Sequence, residues 1–311
     1  MPIKIQNNLP AKEILEQENI FVMDEEKALH QDIRPIEILL LNLMPTKEET
    51  ELQILRCLSN SPLQIDVTFM MVSSHESKNT SLSHLNRFYV YYDDIKERNF
   101  DGMIVTGAPI EFFKFEEVDF WDEFVKILKW SDKHVTSVMF QCWAAQAAMY
   151  YYYGIEKKIL PKKVFGIYQH EAVHKRTPLI RGFDDIFYAP HSRHTEVSLE
   201  EVEKCEDIIV LAKSEEAGFL MGISDGGRKV FVQGHLEYDR YTLDGEYKRD
   251  KEKGLEIDIP CNYYEDDDPA KKPLLRWRSH SINFYSNWLN YYVYQTTPYN
   301  LLRTPSVFQQ Q

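Results

Sequence analysis

Cysteine is scarce: the 311-residue chain has four, at positions 57, 142, 205 and 261. So few thiols cannot build the disulfide framework on which small secreted folds depend. Long apolar runs are also missing. The longest are strand-sized, such as residues 38–41, well short of the roughly 18 residues that a membrane helix needs. A surplus of basic residues is missing as well: 36 Lys and Arg stand against 49 Asp and Glu, a formal net charge of −13. With no basic cluster along the chain, a nucleic-acid partner is not expected. The start, MPIKIQNNLPAKEILEQENIF, lacks the apolar core of a signal peptide, and no internal repeat or low-complexity tract follows. What is present is 43% hydrophobic and 13% aromatic residues, too rich for a disordered chain. These features describe a soluble, acidic, cytoplasmic globular protein without a membrane span. Residues 35–297 read as a single α/β domain, with residues 1–34 as an extension packing on its core and 298–311 as a tail.

Strand and helix patterns alternate through the first half. Residues 36–43 (IEILLLNL) form a near-continuous apolar run, as in a strand covered on both faces. The stretch PTKEETELQILRCLSNSP reads as a helix, with Thr46 as N-cap and Glu49 completing a capping box. Residues 63–71 are the next strand, 102–106 another, 118–130 an amphipathic helix, 135–140 a strand and 143–152 a helix. Such alternation predicts a mostly parallel sheet with helices on both faces, and in such sheets ligands bind at the carboxyl ends of the strands. Residues 155–200 read as irregular. Residues 208–212, 219–223 and 229–233 suggest a β meander, with a turn at Asp225-Gly226-Gly227. Helices are expected around 239–251 and 277–294.

The chemistry concentrates in VTSVMF-QCWAAQAAMYYYYGI. A strand ends, Cys142 follows after one residue, and small residues open a helix. This is the layout of a nucleophile elbow. A helix N-terminus puts positive potential beside a sulfur so placed and favours thiolate. The backbone N–H of the next residue, Trp143, points to where an oxyanion would develop. A free cysteine is ordinarily a small core hydrophobe, and Cys57, Cys205 and Cys261 are read that way; position singles out Cys142. A cysteine nucleophile needs a base, and the base an orienting group. KVFVQGHLEYD offers both: a strand ends in Gly234, then His235 and Glu237 follow.

A strand-Cys-helix unit followed by strand-G-H-x-E resembles the class I glutamine amidotransferase fold, a flavodoxin-like three-layer sandwich. Within that group the chain resembles the homoserine O-acyltransferase family of methionine biosynthesis. The matching stretches include LNLMPTKEETE, NFDGMIVTGAPIE, FQCWAAQAAMYYYYGI, APHSR, GHLEYD and WLNYYVYQTTPY. The resemblance implies a Cys142–His235–Glu237 triad and a thioester on Cys142, with acetyl-CoA as co-substrate, L-homoserine as acceptor and no bound cofactor. It implies Lys163, Ser192 and Arg249 as homoserine contacts, and it suggests a homodimer. It also ties acyl-donor choice to position 111, where glutamate goes with acetyl-CoA and glycine with succinyl-CoA. Glu111 would repel a distal succinyl carboxylate, so acetyl transfer is expected. A succinyltransferase, a glutaminase on the same triad and a non-catalytic binding protein are the alternatives. The elbow departs from the glycine-rich G-x-C-x-G of glutaminases, having Gln141 before the cysteine and Ala144 after it. HEAVH (His170, Glu171, His174) fits a zinc motif only if helical; alternation in VFGIYQ argues against that, so no metal is expected.

Overall fold

The computed structural model describes residues 3–6, 8–18, 20, 22–23, 34–75 and 79–297. Its strands are β1 (Ile3–Lys4), β2 (Val22–Met23), β3 (Ile36–Leu41), β4 (Ile65–Met70), β5 (Tyr89–Val90), β6 (Phe100–Val105), β7 (Val135–Gln141), β8 (Lys157–Ala172), β9 (Ile186–Val197), β10 (Ile208–Ser214), β11 (Gly218–Ser224) and β12 (Lys229–Val232). They form one 12-stranded sheet in the order β2-β1-β4-β3-β6-β7-β12-β11-β10-β8-β9, with β5 pairing β4. From β2 to β12 the neighbours run parallel; from β12 to β9 they run antiparallel. Residues 1–34 thus contribute two short strands to the sheet's edge, while the predicted tail 298–311 lies outside the described residues.

Period-two alternation explains the layering. On β3, Ile38 and Leu40 join the apolar cluster on one face, while Leu39 and Leu41 join the cluster on the other. A strand so placed is apolar along its covered stretch, here Ile38 to Leu41. The helices Lys47–Leu58 and Arg278–Asn287 supply one layer, and Trp121–His134 and Trp143–Tyr153 supply the other. The final helix continues as a π-helix, Trp288–Tyr294. Among the described residues no helix is long and apolar enough to cross a membrane.

Two expectations are corrected. Thr46 does precede its helix, but its side chain makes no cap hydrogen bond; its carbonyl accepts from Thr50 N–H at 3.3 Å. More importantly, residues 155–200 are not irregular. They hold β8 and β9, a long antiparallel ribbon that touches β10 only at Ala172 and Glu171. His170 and His191 therefore lie on strands, and both are buried. The helix that a zinc-binding HEAVH requires is absent at this place. Among the described residues no group of His, Cys, Asp or Glu is arranged to hold a metal ion.

Candidate active site

Cys142 joins β7 to the helix Trp143–Tyr153 at φ 49°, ψ −117°. A residue with a side chain adopts such a conformation at a cost of roughly 1–3 kcal/mol, here turning the chain sharply and raising the thiol above the strand ends. The helix can approach because Ala144, Ala145, Ala147 and Ala148 are completely buried. As its first residue, Trp143 has an N–H with no intrahelical carbonyl to bond.

β12 lies beside β7 in parallel, with Val232 opposite Gln141. Val232 O accepts the Cys142 N–H at 2.7 Å. Both chain segments therefore emerge at one sheet edge, which is why residues 93 positions apart meet. A Cβ on Gly234 would stand 2.7 Å from Leu220 Cδ1 and 2.9 Å from Pro190 O, so the turn leading to His235 leaves no room for a side chain. His235 N–H then donates to Pro190 O at 2.8 Å. Its ring Nδ1 donates to Glu237 Oε1 at 2.7 Å, which leaves Nε2 free of that carboxylate, and Cys142 adjoins the same imidazole. The Tyr238 ring stacks on the imidazole, centroids 4.1 Å apart.

Burial opposes charge on His235, but the adjoining Cys142 and Glu237 outweigh it, holding the imidazole well above its usual range. Gln141 supplies a support that the sequence reading took only as a departure from the glutaminase pattern. Its amide donates to Glu237 Oε2 at 3.3 Å and to Tyr285 Oη at 2.6 Å. By contrast, burial pushes the Cys57 thiol up to about 12.

Lys163, Ser192 and Arg249 come together as well, around a residue that sequence reasoning missed. Glu246 Oε1 accepts from Lys163 Nζ at 2.5 Å and from Ser192 Oγ at 2.7 Å, with Arg249 Nη2 at 3.9 Å. The β8 register jumps between Ile159 and Val164; this bulge presents Lys163. Phe165 pairs with Ser192 across the ribbon, and the helix Thr242–Glu252 brings Glu246 and Arg249 from the other side. The i, i+3 spacing of Glu246 and Arg249 on a helix was the available signal.

Lys47 was also missed. It is buried, its ammonium bonded to Asn42 O at 2.7 Å and Met44 O at 3.4 Å. Burial, against the pull of Glu51, brings its pKa down to about 8. Glu111 is half-buried, and its Oε1 accepts the His194 N–H at 3.3 Å.

Behind Gly234 lies a buried polar chain. Arg193 Nε donates to His191 Nδ1 at 3.4 Å, so His191 Nε2–H faces His170 Nε2 at 3.1 Å, and His170 Nδ1 donates to Tyr168 O at 2.9 Å. Burial, aided by the Arg193 charge, holds His170 down to about 3 and His191 well below its usual value. In the unfolded chain both would protonate near pH 6.5. Their contribution to stability is thus complete above about pH 6.5 and is lost as pH falls. At about pH 5, His170 alone costs about 2 kcal/mol. His235 works in the opposite sense: its contribution is present below about pH 6.5 and lost as pH rises through its raised folded value. Urea unfolding at about pH 7 and pH 5 checks this: the midpoint falls at the lower pH, and falls less in His170→Gln.

The comparisons with known proteins follow this geometry. A family model described as HTS, homoserine O-succinyltransferase, matches residues 2–299. The chain is 59% identical over 307 residues to a homoserine O-acetyltransferase of Agathobacter rectalis, covering 99% of each. It is 60% identical over 301 residues to a protein of the same name from Lachnospira eligens, covering 97% of each. Among solved structures, a glutamine amidotransferase from Thermotoga maritima has a TM-score of 0.51 at 12% identity, covering 83% of this chain and 98% of that one. At that identity the likeness is one of fold, and it matches the predicted amidotransferase-like sheet.

Proposed function

Because this chain belongs to the HTS family of homoserine acyltransferases, we propose that it moves an acetyl group from acetyl-CoA to the hydroxyl of L-homoserine through a thioester on Cys142. The observation that carries this reading is Cys142, at a strained strand-to-helix turn, adjoining an imidazole that is hydrogen-bonded to Glu237. The Cys142 thiolate attacks the carbonyl carbon of the donor thioester. A new C–S bond forms, the bond to coenzyme A breaks, and the His235 imidazolium protonates the departing thiolate. The Trp143 N–H and the helix N-terminus behind it stabilise the oxyanion; one such donor is typically worth ~3 kcal/mol. Neutral His235 then takes the proton of the homoserine hydroxyl as its oxygen attacks the thioester, and Cys142 leaves as thiolate. Two half-reactions on one nucleophile give ping-pong kinetics.

The cluster around Glu246 suits an α-amino acid. Arg249 offers a fork for the α-carboxylate, and Glu246 offers a charge partner for the α-ammonium. Glu246 already engages Lys163 and Ser192, so acceptor binding exchanges partners inside an existing polar set.

The family model carries a succinyl name while the relatives at 59–60% identity carry an acetyl one. Glu111 supports the acetyl reading, since a second carboxylate beside it would meet like charge. In Glu111→Gly the acetyl-to-succinyl ratio of kcat/KM falls by at least about tenfold; an unchanged ratio removes Glu111 from donor selection. The function itself is tested by supplying purified protein with L-homoserine and each donor. O-acetylhomoserine forms fastest, and glutamine releases no ammonia. Ammonia release without ester formation would transfer the site to the glutaminase reading.

A further inference from the structure

The mechanism leaves a pocket of about 220 Å³ unexplained. Its walls are the loop after β3, the segment after β4 and the turn after β6, and no residue of the Glu246 cluster lines it. Leu43, Met44, Val72, Pro109, Ile110 and Phe120 make most of it apolar. Three of its four polar lining residues are engaged: the Asn42 amide donates to Lys47 O and Tyr89 Oη and its carbonyl accepts from Met44 N–H, the Lys47 ammonium bonds Asn42 O and Met44 O, and His75 pairs with Asp119, while Asn79 is the fourth.

One of its walls continues along the chain to a residue packed on the nucleophile. Gly107 packs so tightly on Cys142 that a Cβ there would lie 3.0 Å from Cys142 Cβ and 3.6 Å from the sulfur. The next three residues, Ala108, Pro109 and Ile110, line the pocket, and Glu111 follows. Thr106 Oγ1 accepts the Leu43 N–H at 2.8 Å, tying two of the walls together, so the pocket is built by the sheet's own strand ends.

Resting on the acyl-transfer reading above, we propose that this pocket is the acyl-donor channel, taking the pantetheine arm of an acyl-CoA and bringing its thioester past Ile110 to Cys142. Size selects the arm. A whole drug-sized ligand fills ~300–1,000 Å³, so about 220 Å³ holds a slender chain and leaves the nucleotide outside. The apolar walls suit methylene and gem-dimethyl groups. Donor and acceptor then reach one sulfur by separate routes, from the β3–β4–β6 strand ends and from the β8–β9 ribbon. The acyl group arrives beside Glu111, where a distal carboxylate is rejected.

Met44→Trp and Ile110→Trp, both at half-buried positions lining the pocket, narrow it. Each is expected to lower kcat/KM for acetyl-CoA by about tenfold or more while leaving the KM for L-homoserine unchanged. The nitrophenol burst from p-nitrophenyl acetate, a small ester that needs no arm, stays at the parent rate. Acetyl-CoA kinetics within twofold of the parent in both variants overturn the channel, as does equal loss of the p-nitrophenyl acetate burst. Failure of the parent protein to be acetylated by acetyl-CoA at all would instead overturn the acyl-transfer reading.

Discussion

Cys142→Ala is expected to fold as the parent does and to lose acyl transfer by at least ~10⁴-fold. Removal of a nucleophile in a coupled triad elsewhere costs ~10⁶ in kcat, and a residual rate from binding and oxyanion contacts reduces the observed loss. The sulfur itself contributes little packing, since Cys142 sits at a turn and alanine keeps its Cβ contact with Gly107. Urea unfolding at parent-like midpoints, together with an absent burst from acetyl-CoA, checks both halves of this statement. Serine is not a rescue: the imidazole environment that sustains a thiolate is far from sufficient for an alkoxide.

Glu237→Gln is expected to lower kcat by about 10³–10⁴, the scale seen when the carboxylate of a serine-protease triad is made neutral. Two effects combine. The amide no longer supports positive charge on His235, whose raised pKa rests on Cys142 and Glu237 together against burial. It also faces Gln141, whose Nε2 now donates to the carboxylate at 3.3 Å; two amides there must reorient, loosening the His235 ring. Alkylation of Cys142 by iodoacetamide at neutral pH separates this from simple misfolding: it slows in Glu237→Gln, while the near- and far-ultraviolet circular dichroism of the folded protein matches the parent's. A loss of kcat under twofold would make Glu237 a bystander.

The sequence made the nucleophile legible because its surroundings were local. A buried strand, one spacer, a cysteine and a run of alanines lie within a dozen residues, and the elbow geometry at φ 49° follows from them. His235 and Glu237 were legible for the same reason, as a short motif at the end of an apolar strand. The β8–β9 ribbon was not. Its first half is largely exposed and carries four lysines and Pro161, and β9 carries Pro190. Charged and proline-bearing segments read as loops, yet an edge ribbon pairing with its neighbour at two positions tolerates both. The pairing that stabilises it lies between strands some 30 residues apart, outside any local pattern. Glu246 was hidden for a related reason. Immediately before YKRDKEK it is one charge among many, and only the ribbon's bulge brings Lys163 and Ser192 to it. Lys47 was masked by its place in a capping-box pattern, where a lysine is ordinarily solvated; its burial at the pocket depends on Asn42, in the loop after β3, and on Tyr89 of β5.

The most direct measurement is intact and peptide mass spectrometry of the protein mixed with acetyl-CoA in the absence of acceptor. One acetyl group on the peptide containing Cys142, labile to hydroxylamine and discharged on adding L-homoserine, is the predicted result. An unmodified Cys142 under conditions of turnover, or an acetyl group that stays when L-homoserine is added, would contradict acyl transfer through this sulfur.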